Sequence, residues 1–367
     1  MKIPNSGEIG KVTCFNSDGD TLCVGTEDGF IIVWNVDDDR EGFIVTATRT
    51  EIEQIFVTKN RIVAVDSGSV LVFSSMPDCT LIFCKKLETC RILVSVSWHV
   101  GEEKMALACQ ESGPIDILSL STGLIEQVIE LEENCMPVKI AFLKYPNNYN
   151  RMFIGTKNTS SELEIRLFNI KSLKFGLSLN VHPHFNPDFQ VYTILSPSGV
   201  ILFGRQFRDD FLPYTWLVQK WSYDGQLDFS RVVHTEYMMH MVGLSTNNSA
   251  DLILPFINHG PNILICNLKT AKTVLTVLLC VWEKGMKVLD ALDPAKMVMA
   301  SSFLGSVCVT SEKEEGGSVT IRDIENMKQL ASIDVLGRHD FLWADSHKII
   351  TINRNLSAMT PINIVTF

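Results

Sequence analysis

Residues 10–36 read GKVTCFNSDGDTLCVGTEDGFIIVWNV. Three short apolar runs stand out in it: Val12–Phe15, Leu22–Gly25 and Phe30–Trp34. They are separated by Ser17-Asp18-Gly19-Asp20 and by Glu27-Asp28-Gly29. Asp-Gly between β-rich runs is a hairpin signal, because glycine accepts the positive φ that a tight turn demands. The stretch therefore predicts an antiparallel three-strand meander whose third strand ends on Trp34-Asn35.

That ending comes back along the chain. An apolar strand end followed by a small polar residue and another apolar one occurs at Ile32–Val36 and, less cleanly, at Val72-Phe73-Ser74. It recurs at Ile117–Leu120, Leu167–Ile170, Lys220–Tyr223, Ile265–Leu268, Ile321–Ile324 and Ile364–Phe367. From Trp34 to Val365 the seven intervals average about 47 residues. On these residues the chain resembles a WD40-repeat protein, in which the last of three strands ends Trp-Asp and a fourth strand follows. The resemblance covers nearly the whole chain. It implies an all-β fold, a single β-propeller over residues 1–367 built of four-stranded antiparallel blades, eight preferred and seven as the alternative. The family's interior network of Gly-His, Ser/Thr and Asp is nearly missing. Gly-His does not occur, and Asp323 alone stands in the Asp position. No subfamily is identified.

The seventh repeat has two readings. In the preferred one Met286–Leu292 and Met297–Ser301 are its first two strands, because Asp293-Pro294-Ala295-Lys296 is good turn chemistry. Phe303–Gly317 is then an insertion. In the alternative, Met297–Phe303 and Ser306–Ser311 are those strands and Met286–Leu292 is the insertion. The eighth repeat offers Asp340–Ala344, Lys348–Asn353 and Ile362–Phe367 but no fourth strand. Lys2-Ile3-Pro4 is expected to supply it, covering an edge that would otherwise invite aggregation.

Hydrophobic residues make up 46% and charged ones 20%, the balance of a globular chain. No charge block or Gly/Ser tract marks a linker, which predicts one domain. The longest apolar run, near Val274–Trp282, is too short to span a bilayer, and Met1-Lys2-Ile3-Pro4 begins no signal peptide. The expectation is a cytoplasmic or nuclear protein without membrane insertion. Of ten cysteines, Cys14, Cys23, Cys84, Cys109, Cys266 and Cys308 sit in apolar strand patterns, where a thiol acts as a small hydrophobe. Cys79, Cys84 and Cys90 lack metal-ligand spacing. The net charge of −10, with Lys and Arg scattered singly, disfavours general nucleic-acid binding.

The sequence holds no Gly-x-Ser-x-Gly, no Gly-x-x-x-x-Gly-Lys and no His-Glu-x-x-His. No catalytic residue, cofactor, metal or small-molecule substrate is expected. The resemblance implies a non-enzymatic interaction platform, a scaffold or adaptor subunit of a larger complex whose partners are proteins or peptide segments. The alternatives are a substrate-recognition subunit of a ubiquitin ligase and a propeller enzyme.

In the family the fourth-to-first and second-to-third strand loops share one face. Here the early repeats carry small or charged loops there: Glu27-Asp28-Gly29, Asp66-Ser67-Gly68 and Gln110-Glu111-Ser112-Gly113. Repeats four to six differ. Their loops contain His182, His184 and Phe185, then Arg205, Phe207, Arg208, Phe211 and Tyr214, then Tyr237 and Met238, and finally Trp282. Aromatic, Met and Arg residues are the types enriched at interface cores. These eleven residues are the partner-binding candidates. The competing reading is a satellite core, with Phe207, Phe211 and Tyr214 folded back on their own blade. His182-Pro183-His184 would need a converging third ligand to bind a metal, and solvated loop histidines are the commoner case.

Overall fold

The structure is a computed structural model. It describes residues 9–18, 21–35, 42–87, 92–96, 103–109, 113–143, 150–158, 163–179, 192–196, 199–205, 215–234, 241–246, 252–257, 264–267, 272–276, 298–304, 307–312, 318–323, 329–334, 341–344, 348–352 and 362–366. Two compact units are present: Met1–Val181 with Asn355–Ser357, and His182–Arg354 with Ala358–Phe367. Every regular element among the described residues is a β-strand.

The first unit holds four sheets. They are Val12–Asp18, Thr21–Thr26, Phe30–Asn35 and Phe43–Thr46 (β1 to β4), then Ile52–Val57, Arg61–Asp66, Ser69–Ser74 and Leu81–Lys86 (β5 to β8). Next come Ile92–Val96, Lys104–Cys109, Ile115–Ser119 and Ile125–Ile129 (β9 to β12). Met136–Phe142, Arg151–Lys157, Leu163–Asn169 and Lys174–Leu179 (β13 to β16) complete the unit. The second unit holds Tyr192–Ser196, Gly199–Arg205, Thr215–Trp221 and Leu227–His234 (β17 to β20), and Met241–Thr246, Leu252–Ile257, Leu264–Asn267 and Lys272–Thr276 (β21 to β24). Val298–Leu304, Val307–Glu312, Ser318–Asp323 and Gln329–Asp334 (β25 to β28) follow, then Phe341–Ala344, Lys348–Ile352 and Ile362–Thr366 (β29 to β31). Each sheet is an antiparallel meander in chain order.

All the recurring strand ends of the sequence fall at the end of a third strand, and the side chains explain why. Trp34, Phe73, Leu118, Phe168 and Trp221 are buried. In four of the sheets the small polar residue that follows caps the turn into the fourth strand. Asn169 Oδ1 accepts from the backbone N–H groups of Lys171 and Ser172, and Ser222 Oγ from those of Asp224 and Gln226. Ser74 Oγ accepts from the Thr80 N–H, and Ser119 Oγ from that of Ser121. Asn and Ser close turns because a short polar side chain reaches its own backbone two or three residues on. The predicted hairpin glycine behaves as expected, with Gly29 at φ +81° and its N–H bonded to Thr26 O; Gly19 lies outside the described residues.

In the first unit the middle strands are buried on both faces, so they read as unbroken apolar runs instead of alternating ones. On β6, Ile62 and Ala64 pack with Ile31 and Val33 of the first sheet. Their neighbours Val63 and Val65 pack with Met105, Leu107 and Leu118 of the third. On β10, Ala106 and Ala108 point the other way, toward the fourth sheet, where Ile140, Phe142, Met152, Ile154 and Phe168 fill the space. Small residues on one sheet thus meet large ones on the next, which keeps the core dense without strain. Polar ties add to this. Thr13 Oγ1 donates to Ile52 O, Ser95 Oγ accepts from the Phe142 N–H, and Lys85 pairs with Asp116 at 3.3 Å.

Two expectations need correction. In the seventh repeat β25 pairs with β26 in the register Leu304↔Val307, and β26 with β27. The alternative reading is the correct one, and Phe303–Gly317 is not an insertion. The two residues between the paired positions are Gly305-Ser306, a glycine-first pair that hairpins favour, while Met286–Leu292 lies outside the described residues. Cys84 is exposed, not a buried hydrophobe. It lies on β8, a last strand that only one sheet partner covers. The expected closing strand Lys2-Ile3-Pro4 lies outside the described residues, and β31 has no second partner among them.

Two tryptophans at the same repeat position differ in a testable way. Trp221 Nε1 donates to Gln219 Oε1 at 3.3 Å, and Gln219 is fully buried. Trp34 Nε1 is buried with no partner among the described residues, and Gly42 leaves room for its ring. Both lose the same ring volume on change to Phe. Trp221→Phe also orphans the buried Gln219 oxygen and is expected to cost about 1–3 kcal/mol more than Trp34→Phe, measured by chemical denaturation.

Candidate recognition surface

The fifth sheet gives the candidate loops a common origin. Its registers set Tyr192 opposite Phe203, Arg205 opposite Trp216 and Thr215 opposite His234. The start of β17, the end of β18, the start of β19 and the end of β20 therefore lie at one end of the sheet. The chain segments that carry the sequence candidates join that end. Residues 182–191 lead into β17, 206–214 link β18 to β19, and 235–240 leave β20.

Arg205 is the last residue of β18. His182, His184, Phe185, Phe207, Arg208, Phe211, Tyr214, Tyr237, Met238 and Trp282 lie outside the described residues. Trp282 falls between the end of β24 and the start of β25.

At the corresponding end of the second sheet a different chemistry is visible. Asp66 closes the turn into β7: its Oδ1 accepts from the Gly68 N–H at 2.8 Å, the Ser69 N–H at 2.6 Å and Ser69 Oγ at 2.9 Å. Its Oδ2 accepts from Thr50 Oγ1 at 3.0 Å, which brings in the loop before β5. Asp66 is only 5% exposed. Burial pushes its carboxyl up, but the donors from Gly68, Ser69 and Thr50 outweigh that and hold it below the ordinary carboxylate range. Thr50 and Asp66 tie the loop before β5 to the turn between β6 and β7. Sequence reading missed this contact, since neither residue carries a motif.

The remaining shifted groups belong to packing. Burial pushes the Cys14 thiol up to about 11 and raises Cys23 and Cys79 as well. Such thiols stay protonated near neutral pH and are poor nucleophiles. On the fourth sheet Arg166 bridges Glu164 at 2.8 Å and Glu132 at 2.6 Å and lies over the Phe175 ring. Among the described residues no group of three His, Cys, Asp or Glu side chains is placed to hold a metal ion. No helix among them is long and apolar enough to cross a membrane.

Neither a family model nor a curated protein sequence matches this chain. Solved structures do. The Dos1 propeller is 13% identical over 94% of this chain and 89% of its own, with a TM-score of 0.65. Sqt1 of Saccharomyces cerevisiae is 11% identical over 95% of this chain and 94% of its own, with a TM-score of 0.66. BamB from Moraxella catarrhalis gives 11% identity, coverage of 96% of both chains and a TM-score of 0.58. At such identities the likeness is one of fold, and that fold is a β-propeller of antiparallel, mostly four-stranded blades.

Proposed function

We propose that residues 1–367 act as one non-enzymatic interaction platform, a scaffold or adaptor subunit that holds protein or peptide partners within a larger intracellular complex. The observation that carries this reading is the fifth sheet. Three segments rich in aromatic, Met and Arg residues join it at a single end. Loops ordinarily expose such residues only where something covers them. Buried polar groups of the sheets such as Asp66, Ser95 and Gln219 are engaged in structural hydrogen bonds. The connections 182–191, 206–214 and 235–240 are the segments assigned to recognition in this reading.

A photo-reactive amino acid placed at position 211 should cross-link a discrete partner in the source cell, and one at Leu330 on β28 should not. Equal labelling from both positions, or none from position 211, would remove the support for this surface.

A further inference from the structure

The last strand of the third sheet is unlike the other last strands. Leu124, Ile125 and Val128 are 69%, 50% and 45% exposed. Elsewhere β4, β8, β20 and β28 each present a single large apolar side chain, Phe43, Leu81, Leu227 and Leu330, among those described. Register explains the clustering. Ile125 lies opposite Leu118 and Val128 opposite Asp116, with a bulge between them. Cross-strand partners share a face, so the bulge brings Ile125 and Val128 to the same side. That side is the one on which Leu118 packs against the second sheet.

Backbone and charge complete the picture. β12 pairs with β11 alone, and no described strand lies beyond it. Along a free edge, N–H and C=O groups point outward and can pair with another extended chain. Residues 124–133 contain four glutamates, Glu126, Glu130, Glu132 and Glu133, and no Lys or Arg. Glu126, Glu130 and Glu133 are exposed. Glu132 is engaged by Arg166 and Glu126 by Lys104, whereas β8 on the neighbouring sheet carries Lys85 and Lys86.

We propose that the edge of β12 is a strand-addition site for an extended segment of a partner protein that carries apolar residues followed by lysine or arginine along one face. Glu130 stands two residues from Val128 and so shares its face; the apolar members lie opposite Ile125 and Val128, the cation opposite Glu130, and the backbone adds a fifth strand to the third sheet. A second copy of this chain is the wrong occupant. Pairing β12 with itself would set glutamates against glutamates, and like charges across strands repel. The site involves none of the residues proposed at the fifth sheet, so either can fail without the other.

The probe is a fluorescent, end-capped peptide of about nine residues with valine or isoleucine and then lysine at successive positions of one face and threonine between them, titrated against the full chain by anisotropy. Saturable binding is expected, weakened at least about tenfold by Val128→Glu and by Glu130→Lys. Leu330→Glu on β28 should leave it unchanged. A peptide N-methylated at alternate residues cannot form the ladder and should not bind, nor should one with glutamate in place of lysine. Glu130→Lys changes an exposed side chain, so the test stands even if Val128→Glu fails to fold. Binding that survives both variants, or equal binding of the N-methylated peptide, would reduce the site to charge attraction and overturn the proposal. Self-association abolished by Val128→Glu, with no peptide bound, would overturn it in favour of a second copy.

Discussion

Phe168→Ala is expected to lower stability by about 3–5 kcal/mol, the range for deleting a buried aromatic ring from a core that relaxes only partly. Phe168 is 3% exposed at the end of β15 and packs with Ala106, Ala108, Ile117 and Met152 between the third and fourth sheets. It also meets Phe175 edge-on, with ring centroids 5.1 Å apart, a geometry worth about 0.5–1.5 kcal/mol beyond buried area. Ala106 and Ala108 carry no side chain long enough to fill the void. Phe168→Leu keeps most of the volume and should cost less than about 1.5–2 kcal/mol. Denaturant midpoints followed by far-ultraviolet circular dichroism check both values. Equal, small losses would mean that the third and fourth sheets do not pack through this residue.

Asp66→Ala is expected to cost about 2–3 kcal/mol, because it leaves the donors of Gly68, Ser69 and Thr50 without their charged acceptor. The effect has a pH signature. The folded carboxyl ionises below its ordinary value, so its contribution is fully present above the unfolded value of about 3.9 and is lost as pH falls through the lower folded one. The gap in stability between the unaltered chain and Asp66→Asn should therefore be constant from about pH 6 to 8 and close progressively below about pH 4. A gap that does not change on acidification would show that the carboxylate is not held ionised by these donors.

What the sequence made legible was local. The strand-end signature needs one buried apolar residue and one turn-capping polar residue side by side, so it is readable in a chain without Gly-His. The same locality misled in the seventh repeat. Asp293-Pro294-Ala295-Lys296 and Gly305-Ser306 are both good turn sequences, and only the pairing of β26 with β27 decides between them. Asp66 could not be found by spacing, because its partner Thr50 belongs to a separate loop brought close by folding. The exposed edge at Leu124, Ile125 and Val128 escapes a reading by residue type, because the clustering depends on a bulge that no residue type announces.

Sheets that carry stability and fifth-sheet loops that carry recognition should separate in a single experiment. Melting temperature and partner retention are measured on Phe168→Ala and on Phe211→Ala. The sheet variant should melt lower yet keep its partner at temperatures where it is folded. The loop variant should melt unchanged and lose about 2–4 kcal/mol of binding, as interface anchors do. A Phe211→Ala protein that is destabilised but fully binding-competent would contradict the account and make that loop a satellite core.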